Sequence, residues 1–339
     1  MATEDARYRQ SSQFRLWSFT TAHLDSLRNE CNSLAQKAIS ARLQSASPND
    51  ALPEFLTPAE ELSLVTHYTV ELLRAAAFIE LPTEIRATAA IFLRRFYVTN
   101  SIMTYPPTEL LKTCLFFGCK AEGHYMRLSK FADKFPNTTG EEVLAAEYIL
   151  SQGIRFAFDV RHPFRALEGA VMELRRLGDF ENKRIDRAHG KAREILKFSP
   201  LVTDAYFHYT PGQIMMAALA MADEGLVERM LREAFAAQGD AAKDKCWELI
   251  QACRVVLEKE PPEKMNDNEE RKAVIKPLNR KLKKCRDPDR VDLVALQKAR
   301  REQAMVKKPK IPVKADGAVF GESIGDGRES KRRKTETEE

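Results

Sequence analysis

Apolar residues along this chain recur at spacings of three and four and rarely alternate, which predicts helices throughout. Leu24, Leu27, Cys31, Leu34, Ala35 and Ala38 mark one face of a helix running to about Leu43, with Thr20 or Thr21 placed to cap it. A loop over 45–53 follows. Thr57-Pro58-Ala59-Glu60 then supplies a cap, a first-turn proline and a capping-box acid. Leu62, Val65, Thr69, Leu72, Leu73 and Ala76 form the inner face of the helix they open. Pro82-Thr83 starts another, with Ile85, Ala89, Phe92, Leu93 and Phe96 inward. Tyr105-Pro106-Pro107 opens the next, Leu110 to Ala121, whose apolar residues point all round and predict a buried hub helix. On it Cys114, Gly118 and Ala121 form a stripe of small residues that lets another helix approach closely. Leu128 to Phe135 reads as a short helix. Residues 140–155 read as a fifth, carrying Val143, Leu144, Tyr148 and Leu150.

A second set of five helices is predicted at about 163–177, 183–199, 211–223, 226–237 and 241–259, stopped by Pro261-Pro262. A shift of 104 residues lays the sets over each other without a gap. Val98-Thr99 meets Val202-Thr203, Tyr105 meets Tyr209, Pro107 meets Pro211 and Leu115 meets Leu219. Gly118 falls on Ala222 and Ala121 on Gly225, so the small stripe recurs. Residues 266–286 predict one more helix, with Val274, Leu278, Leu282 and Cys285 as a narrow apolar stripe and basic faces elsewhere. Beyond 287 charge, Pro and Gly increase, and by Lys307 the composition is that of a disordered segment. The expected architecture is all-α: two tandem five-helix domains with additional N-terminal and C-terminal helices and a disordered basic tail. The boundaries expected are an N-terminal arm and helix over 1–56, a first domain over 57–159, a second over 160–260, a C-terminal helix over 261–286 and a mostly disordered tail over 287–339.

Composition narrows the function classes. No run of 18 apolar residues occurs, so no membrane span is expected, and MATEDARYRQ at the start lacks the apolar core of a signal peptide. The six cysteines form no CxxC and no Cys/His pair has zinc-finger spacing, so buried free thiols are expected and no metal or other cofactor. No phosphate-binding loop and no nucleophile constellation is present, which argues against an enzyme. Charge is uneven: residues 271–314 hold 16 Lys/Arg against 4 Asp/Glu, so that stretch carries +12 and the rest of the chain −7. The basic arm suits an acidic surface, nucleic acid or a nuclear import signal, for which Lys307, Lys308, Lys310, Lys331, Arg332, Arg333 and Lys334 are the candidates.

Three stretches carry a resemblance. RYRQSSQFRLWSFT at 7–20, RRFYVTNSIMTYPP at 94–107 followed by LLKTCLFFGCKAE, and LVTDAYFHYTPGQIMMAAL at 201–219 resemble the cyclins, and the likeness extends over about 7–286. It is to the cyclins that regulate the CDK-activating kinase and general transcription factor TFIIH. The resemblance implies two cyclin boxes and a non-catalytic nuclear subunit that activates a cyclin-dependent kinase. It further implies phosphorylation of kinase activation loops and of the RNA polymerase II carboxy-terminal repeats, a RING-finger assembly factor as third subunit, and attachment to the TFIIH core. It places the kinase contact at Lys120 and Glu147, with Phe156 and Phe158 as apolar contacts. Ser151 stands where cell-cycle cyclins have an aliphatic residue, and AEELSLVTHYTVELLR at 59–74 lacks their substrate-docking stretch.

Without the resemblance, Lys120 and Glu147 read as an ordinary surface ion pair, which contributes about 0–1 kcal/mol, and the two phenylalanines as core. Another transcriptional cyclin, of the cyclin C kind, is the nearest alternative. A TFIIB-like promoter-binding factor uses the same repeat but would need a zinc ribbon. The −7 charge of the rest of the chain also suits DNA poorly, so no direct sequence-specific nucleic-acid binding is expected.

Overall fold

The computed structural model describes residues 4–46, 51–237, 239–266, 269–289 and 292–306. Every regular element among them is a helix. The arm holds α1 (Glu4–Gln10), α2 (Ser12–Trp17) and the long α3 (Thr21–Ala46). The first set is α4 (Pro58–Phe78), α5 (Thr83–Thr99), α6 (Pro107–Ala121), α7 (Leu128–Ala132), α8 (Gly140–Ala145) and α9 (Glu147–Gly153). The second is α10 (Phe164–Leu177), α11 (Asn182–Leu196), α12 (Ser199–Val202), α13 (Ala205–His208), α14 (Pro211–Ala222), α15 (Glu224–Ala234) and α16 (Asp240–Glu258). A 3₁₀ turn, α17 (Glu269–Lys284) and α18 (Leu293–Val306) follow. Met1–Gln297 form one compact unit; Lys298–Glu339 form a second, of which the described part is the remainder of α18.

Local chemistry explains the helix starts. Thr57 and Glu60 complete a capping box at α4, as do Thr139 and Glu142 at α8 and Thr210 and Gln213 at α14. Pro107 and Pro211 open α6 and α14 at equivalent places in the two sets, and Leu115 and Leu219 are both fully buried. The helix expected over 140–155 is broken at Ala146, where φ −90° and ψ 0° separate α8 from α9. The one expected over 183–199 ends at Leu196, and α12 continues beyond Phe198 in a new direction.

The hub differs from the expected one. On α6, Leu111 and Phe117 are only half-buried and Ala121 is exposed, so the small stripe ends at Gly118. The centre is α5, where every residue from Ile85 to Val98 except Arg86 is buried. α3, α4, α6, α9 and α12 all pack on it, whereas α6 packs on α4, α5, α8 and α9. Gly118 does bring α6 close to α5: a Cβ there would lie 3.1 Å from the Ile85 carbonyl oxygen and 3.2 Å from Ala89 Cβ. A closer approach occurs at Gly153 in α9, where a Cβ would lie 2.4 Å from the ring of fully buried Phe96. Gly153→Ala is therefore expected to cost about 1–3 kcal/mol, more than Gly118→Ala, because overpacking a full core forces side chains off their rotamers. Urea denaturation of both variants checks the order; equal midpoints would show that Phe96 has room to move.

The arm binds both sets. Trp17 is fully buried, its ring between the guanidinium groups of Arg95 (5.4 Å) and Arg155 (5.1 Å). It also packs on Phe19 and Phe207, and the Phe19 amide donates to the Phe207 carbonyl at 2.8 Å. The arm is thus fastened to the second set as well as to itself. Beside it Asp204 accepts from Arg28 (2.6 Å) and from buried Arg94 (2.7 Å), while Arg94 also donates to the Val202 carbonyl (2.9 Å). Burial pushes the Asp204 carboxyl up, but the Arg28 and Arg94 guanidinium groups outweigh it and hold the group well below the usual carboxylate range.

At the other end, α17 lies on α4. The Tyr68 hydroxyl donates to Asn279 (3.1 Å), and Lys281 binds Glu60 (2.9 Å). On α17, Val274 is exposed and Ile275 takes its expected place in the interior. The body continues past the boundary expected at 286. Asp287 is buried, its amide donates to the Met103 carbonyl (3.2 Å), and Arg42 grips its carboxylate. Leu293 is buried too, and Asp292 caps α18 through the amides of Val294 (2.9 Å) and Ala295 (3.2 Å). A helix therefore occupies Leu293–Val306 where the composition predicted mostly disorder. The tail candidates Lys307, Lys308, Lys310, Lys331, Arg332, Arg333 and Lys334 lie outside the described residues.

Candidate functional site

The last turn of α6 and the first of α9 meet at the surface. α8 packs on α6, and α9 packs on both α5 and α6, so the break at Ala146 sets where α9 begins. Glu147 is its first residue. Lys120 Nζ lies 2.7 Å from Glu147 Oε1, with 45% of the lysine side chain and 29% of the glutamate exposed. The ammonium also sits over the Phe116 ring at 5.0 Å and near Phe117 at 6.0 Å. An ammonium carries three donors and a carboxylate about four acceptor sites, so the pair keeps unused capacity facing outward. The Ser151 hydroxyl donates to the Glu147 carbonyl (2.8 Å) and steadies the first turn of α9.

Beyond α9 the chain turns sharply. Arg155 and Phe156 have φ +56° and +55°, a left-handed conformation that L residues adopt at a cost. It is held by amides donating back into α9, Arg155 to Gln152 and Phe156 to Ser151, both at 2.9 Å. The turn throws Phe156 outward, 61% exposed, while Phe158 is 40% exposed and edge-on to Phe117 (5.3 Å). The two rings are themselves edge-to-face at 6.3 Å. Tyr148 is 49% exposed beside Glu147, its hydroxyl accepting from Gln152 (3.1 Å). Of the four residues singled out from the sequence, Lys120 and Glu147 thus form one half-exposed ion pair, and Phe158 and Phe156 continue from it by way of Phe117. Tyr148 joins them, and the signal for it was its place directly after Glu147. Cys114 and Gly118 lie below as the support of α6.

A partly buried polar chain runs beside this surface. The Thr88 hydroxyl donates to Glu122, two residues past Lys120, and its oxygen lies 2.8 Å from His162 Nε2. His162 Nδ1 lies 2.8 Å from the Tyr206 hydroxyl. With the Thr88 proton directed to the carboxylate, Nε2 must donate and Nδ1 accept, so the imidazole is neutral with its proton on Nε2. Burial, then the charge of Arg95, lowers its pKa to about 3. The unfolded ring takes a proton near pH 6.5, so stability is complete above that pH and falls as pH drops from about 6.5 towards 3, by up to about 1.4 kcal/mol per unit. His67, also lowered by burial, acts in the same direction. Asp204 contributes only below about pH 4, where its unfolded carboxyl protonates. Urea denaturation at pH 6.5 and 5.0 should show a steeper loss in the wild type than in His162→Gln; identical losses would assign the acid sensitivity elsewhere.

Comparison with known proteins came out as follows. A family profile described as the cyclin C-terminal domain matches residues 162–258. Cyclin CCL1 of Saccharomyces cerevisiae is 32% identical over 246 residues, which is 69% of this chain and 62% of that protein. The chain therefore spans less than two thirds of that relative's length. Cyclin mcs2 of Schizosaccharomyces pombe is 32% identical over 221 residues, 63% of this chain and 68% of that protein. A chain in the structure of the CAK complex from Chaetomium thermophilum bound to ATP-gamma-S superposes with a TM-score of 0.85 at 55% identity. That match covers 93% of this chain and 99% of that one.

Proposed function

The chain belongs to the cyclins, in their cyclin H group, and from this premise we propose that it is the regulatory subunit that switches on the kinase of a CDK-activating complex. The observation that carries the proposal is the half-exposed Lys120–Glu147 pair on the same part of the surface as the exposed Tyr148, Phe156 and Phe158. At the start of a helix docking there, the first amides donate to the carboxylate, while the ammonium donates to carbonyls of the segment leading into that helix. The aromatic side chains supply apolar area and exclude water from these bonds. The first cyclin box corresponds to 57–159 and the second to 160–260.

A lone cyclin-dependent kinase holds its helix C away from the catalytic strand, so its lysine–glutamate pair is open and the magnesium loop misplaced. A rigid surface that binds only the in-position helix shifts that equilibrium. Moving it from 1:99 to 99:1 takes about 5.5 kcal/mol of preference, within reach of an interface of ordinary size. The chain contributes no catalytic group to phosphoryl transfer. Its substrates in the complex are the activation loops of other cyclin-dependent kinases and the RNA polymerase II repeats. A RING-finger factor completes the assembly, TFIIH carries it, and the nucleus houses it. Size-exclusion chromatography of the chain mixed with a monomeric cyclin-dependent kinase should give a 1:1 complex. Separate elution at micromolar concentrations contradicts the proposal.

A further inference from the structure

The outward face of α17 is a row of cations. Lys276, Arg280, Lys283 and Lys284 are all exposed, and no ion pair or hydrogen bond joins them to other described residues. Their spacing of four, three and one places them on one side of the helix, opposite Ile275 and Leu282, which are buried. Lys272 extends the row towards the helix start, where it binds Glu269 (3.2 Å). The other two cations of the helix are paired: Arg271 binds Glu260 (3.0 Å), and Lys281 is turned inward and satisfied by Glu60. Four unpaired cations within about 12 Å of helix repel one another and weaken the last turns. A fold that spends its acids on Lys281 and leaves these four unmatched presents them to something outside.

We propose that this ridge docks an acidic, extended segment of a protein partner, on a surface separate from the Lys120–Glu147 site. Lys276 and Arg280 are four residues apart, about 6 Å along the helix. Alternate side chains of an extended peptide are spaced about 6.6–6.8 Å apart, so carboxylates at every second position fall beside Lys276, Arg280 and Lys284. A phosphate backbone fits less well. It carries a charge every 1.7 Å or so, and a duplex stays straight over about 150 base pairs, so its length would run across a body, residues 1–270, whose net charge is −5. Nor does the ridge carry an aromatic side chain on which a base could stack. A peptide with a few carboxylates uses the ridge alone.

The test uses the full chain and a fluorescein-labelled twelve-residue peptide of alternating Glu and Ser, read by anisotropy at rising salt. A single-stranded oligonucleotide of equal charge is run beside it. The triple variant Lys276→Glu, Arg280→Glu, Lys283→Glu should weaken peptide binding at least tenfold. Reversing Lys307, Lys308 and Lys310 instead should change it less than threefold, with circular dichroism confirming that both variants keep their helix content. A triple Gln variant, which removes charge without adding any, should fall between. Peptide binding that is absent, unchanged by the ridge variants, or governed by the 307–310 cations overturns the proposal. So does preferential binding of the oligonucleotide with the same dependence on the ridge, which would make the partner a nucleic acid.

Discussion

Trp17→Ala is expected to lower the stability of the protein by about 3–5 kcal/mol, the range for truncating a fully buried aromatic. The expected cost lies at the upper end because three contacts are lost together. The indole fills the joint between the arm, α5 and the second set, through Phe19 and Phe207. It also covers the guanidinium of Arg95, which is 1% exposed and donates to the Ala157 carbonyl at 2.8 Å. With the ring gone, that buried cation keeps its desolvation cost and loses its aromatic partner, which burial already penalises enough to lower its pKa to about 9. The second guanidinium on the ring, Arg155, immediately precedes Phe156 and shares its left-handed backbone. Loosening Arg155 should let the Phe156 turn relax, so the variant should bind kinase more weakly even at temperatures where it is folded. Thermal melts and binding titrations on the same samples check both effects. A loss below about 1 kcal/mol would mean the arm is an ornament on an independently stable body.

Lys120→Ala and Glu147→Ala should each weaken kinase binding by about 2–5 kcal/mol, a factor of thirty or more, while leaving the melt nearly unchanged. The asymmetry follows from exposure. In the free chain the pair is half open to water, where such a bridge is worth about 0–1 kcal/mol. In the proposed complex the kinase would cover it, and removing one member would leave the other desolvated without its partner. Glu147→Gln, which keeps the shape and one acceptor, should fall between. Isothermal calorimetry gives the affinities; two single variants with wild-type affinity would remove the pair from the interface.

The parts of the fold that local chemistry dictates were readable in advance. Thr57–Glu60 and Pro107 announce helix starts because capping and proline act within one turn. The match of Pro107 with Pro211 shows the repeat because the same turn is built twice. The break at Ala146 was not readable: nothing at that residue disfavours a helix, and the packing of α8 on α6 and α9 on α5 decides it. The left-handed pair Arg155-Phe156 was hidden for the same reason, since neither residue type seeks that conformation. The burial of Arg94 and Arg95 was not readable either, since arginine is ordinarily exposed. Their burial depends on Asp204, the Val202 and Ala157 carbonyls and Trp17, all supplied from distant parts of the chain. Gly153 carried a weak signal, a glycine inside a helical pattern, whose meaning appeared only with Phe96 beside it. The site residues came forward through resemblance, because a half-exposed Lys–Glu pair has no composition of its own to distinguish it.

The most direct test is the rate of phosphoryl transfer to an RNA polymerase II repeat peptide by a purified monomeric cyclin-dependent kinase, titrated with this chain. The kinase alone and the chain alone should be nearly silent. The mixture should rise by orders of magnitude and saturate at one chain per kinase, and the Lys120→Ala, Glu147→Ala double variant should fail to reproduce the rise at the same concentrations. Full activation by the double variant, or transfer by the isolated chain that survives stringent purification, would contradict the account.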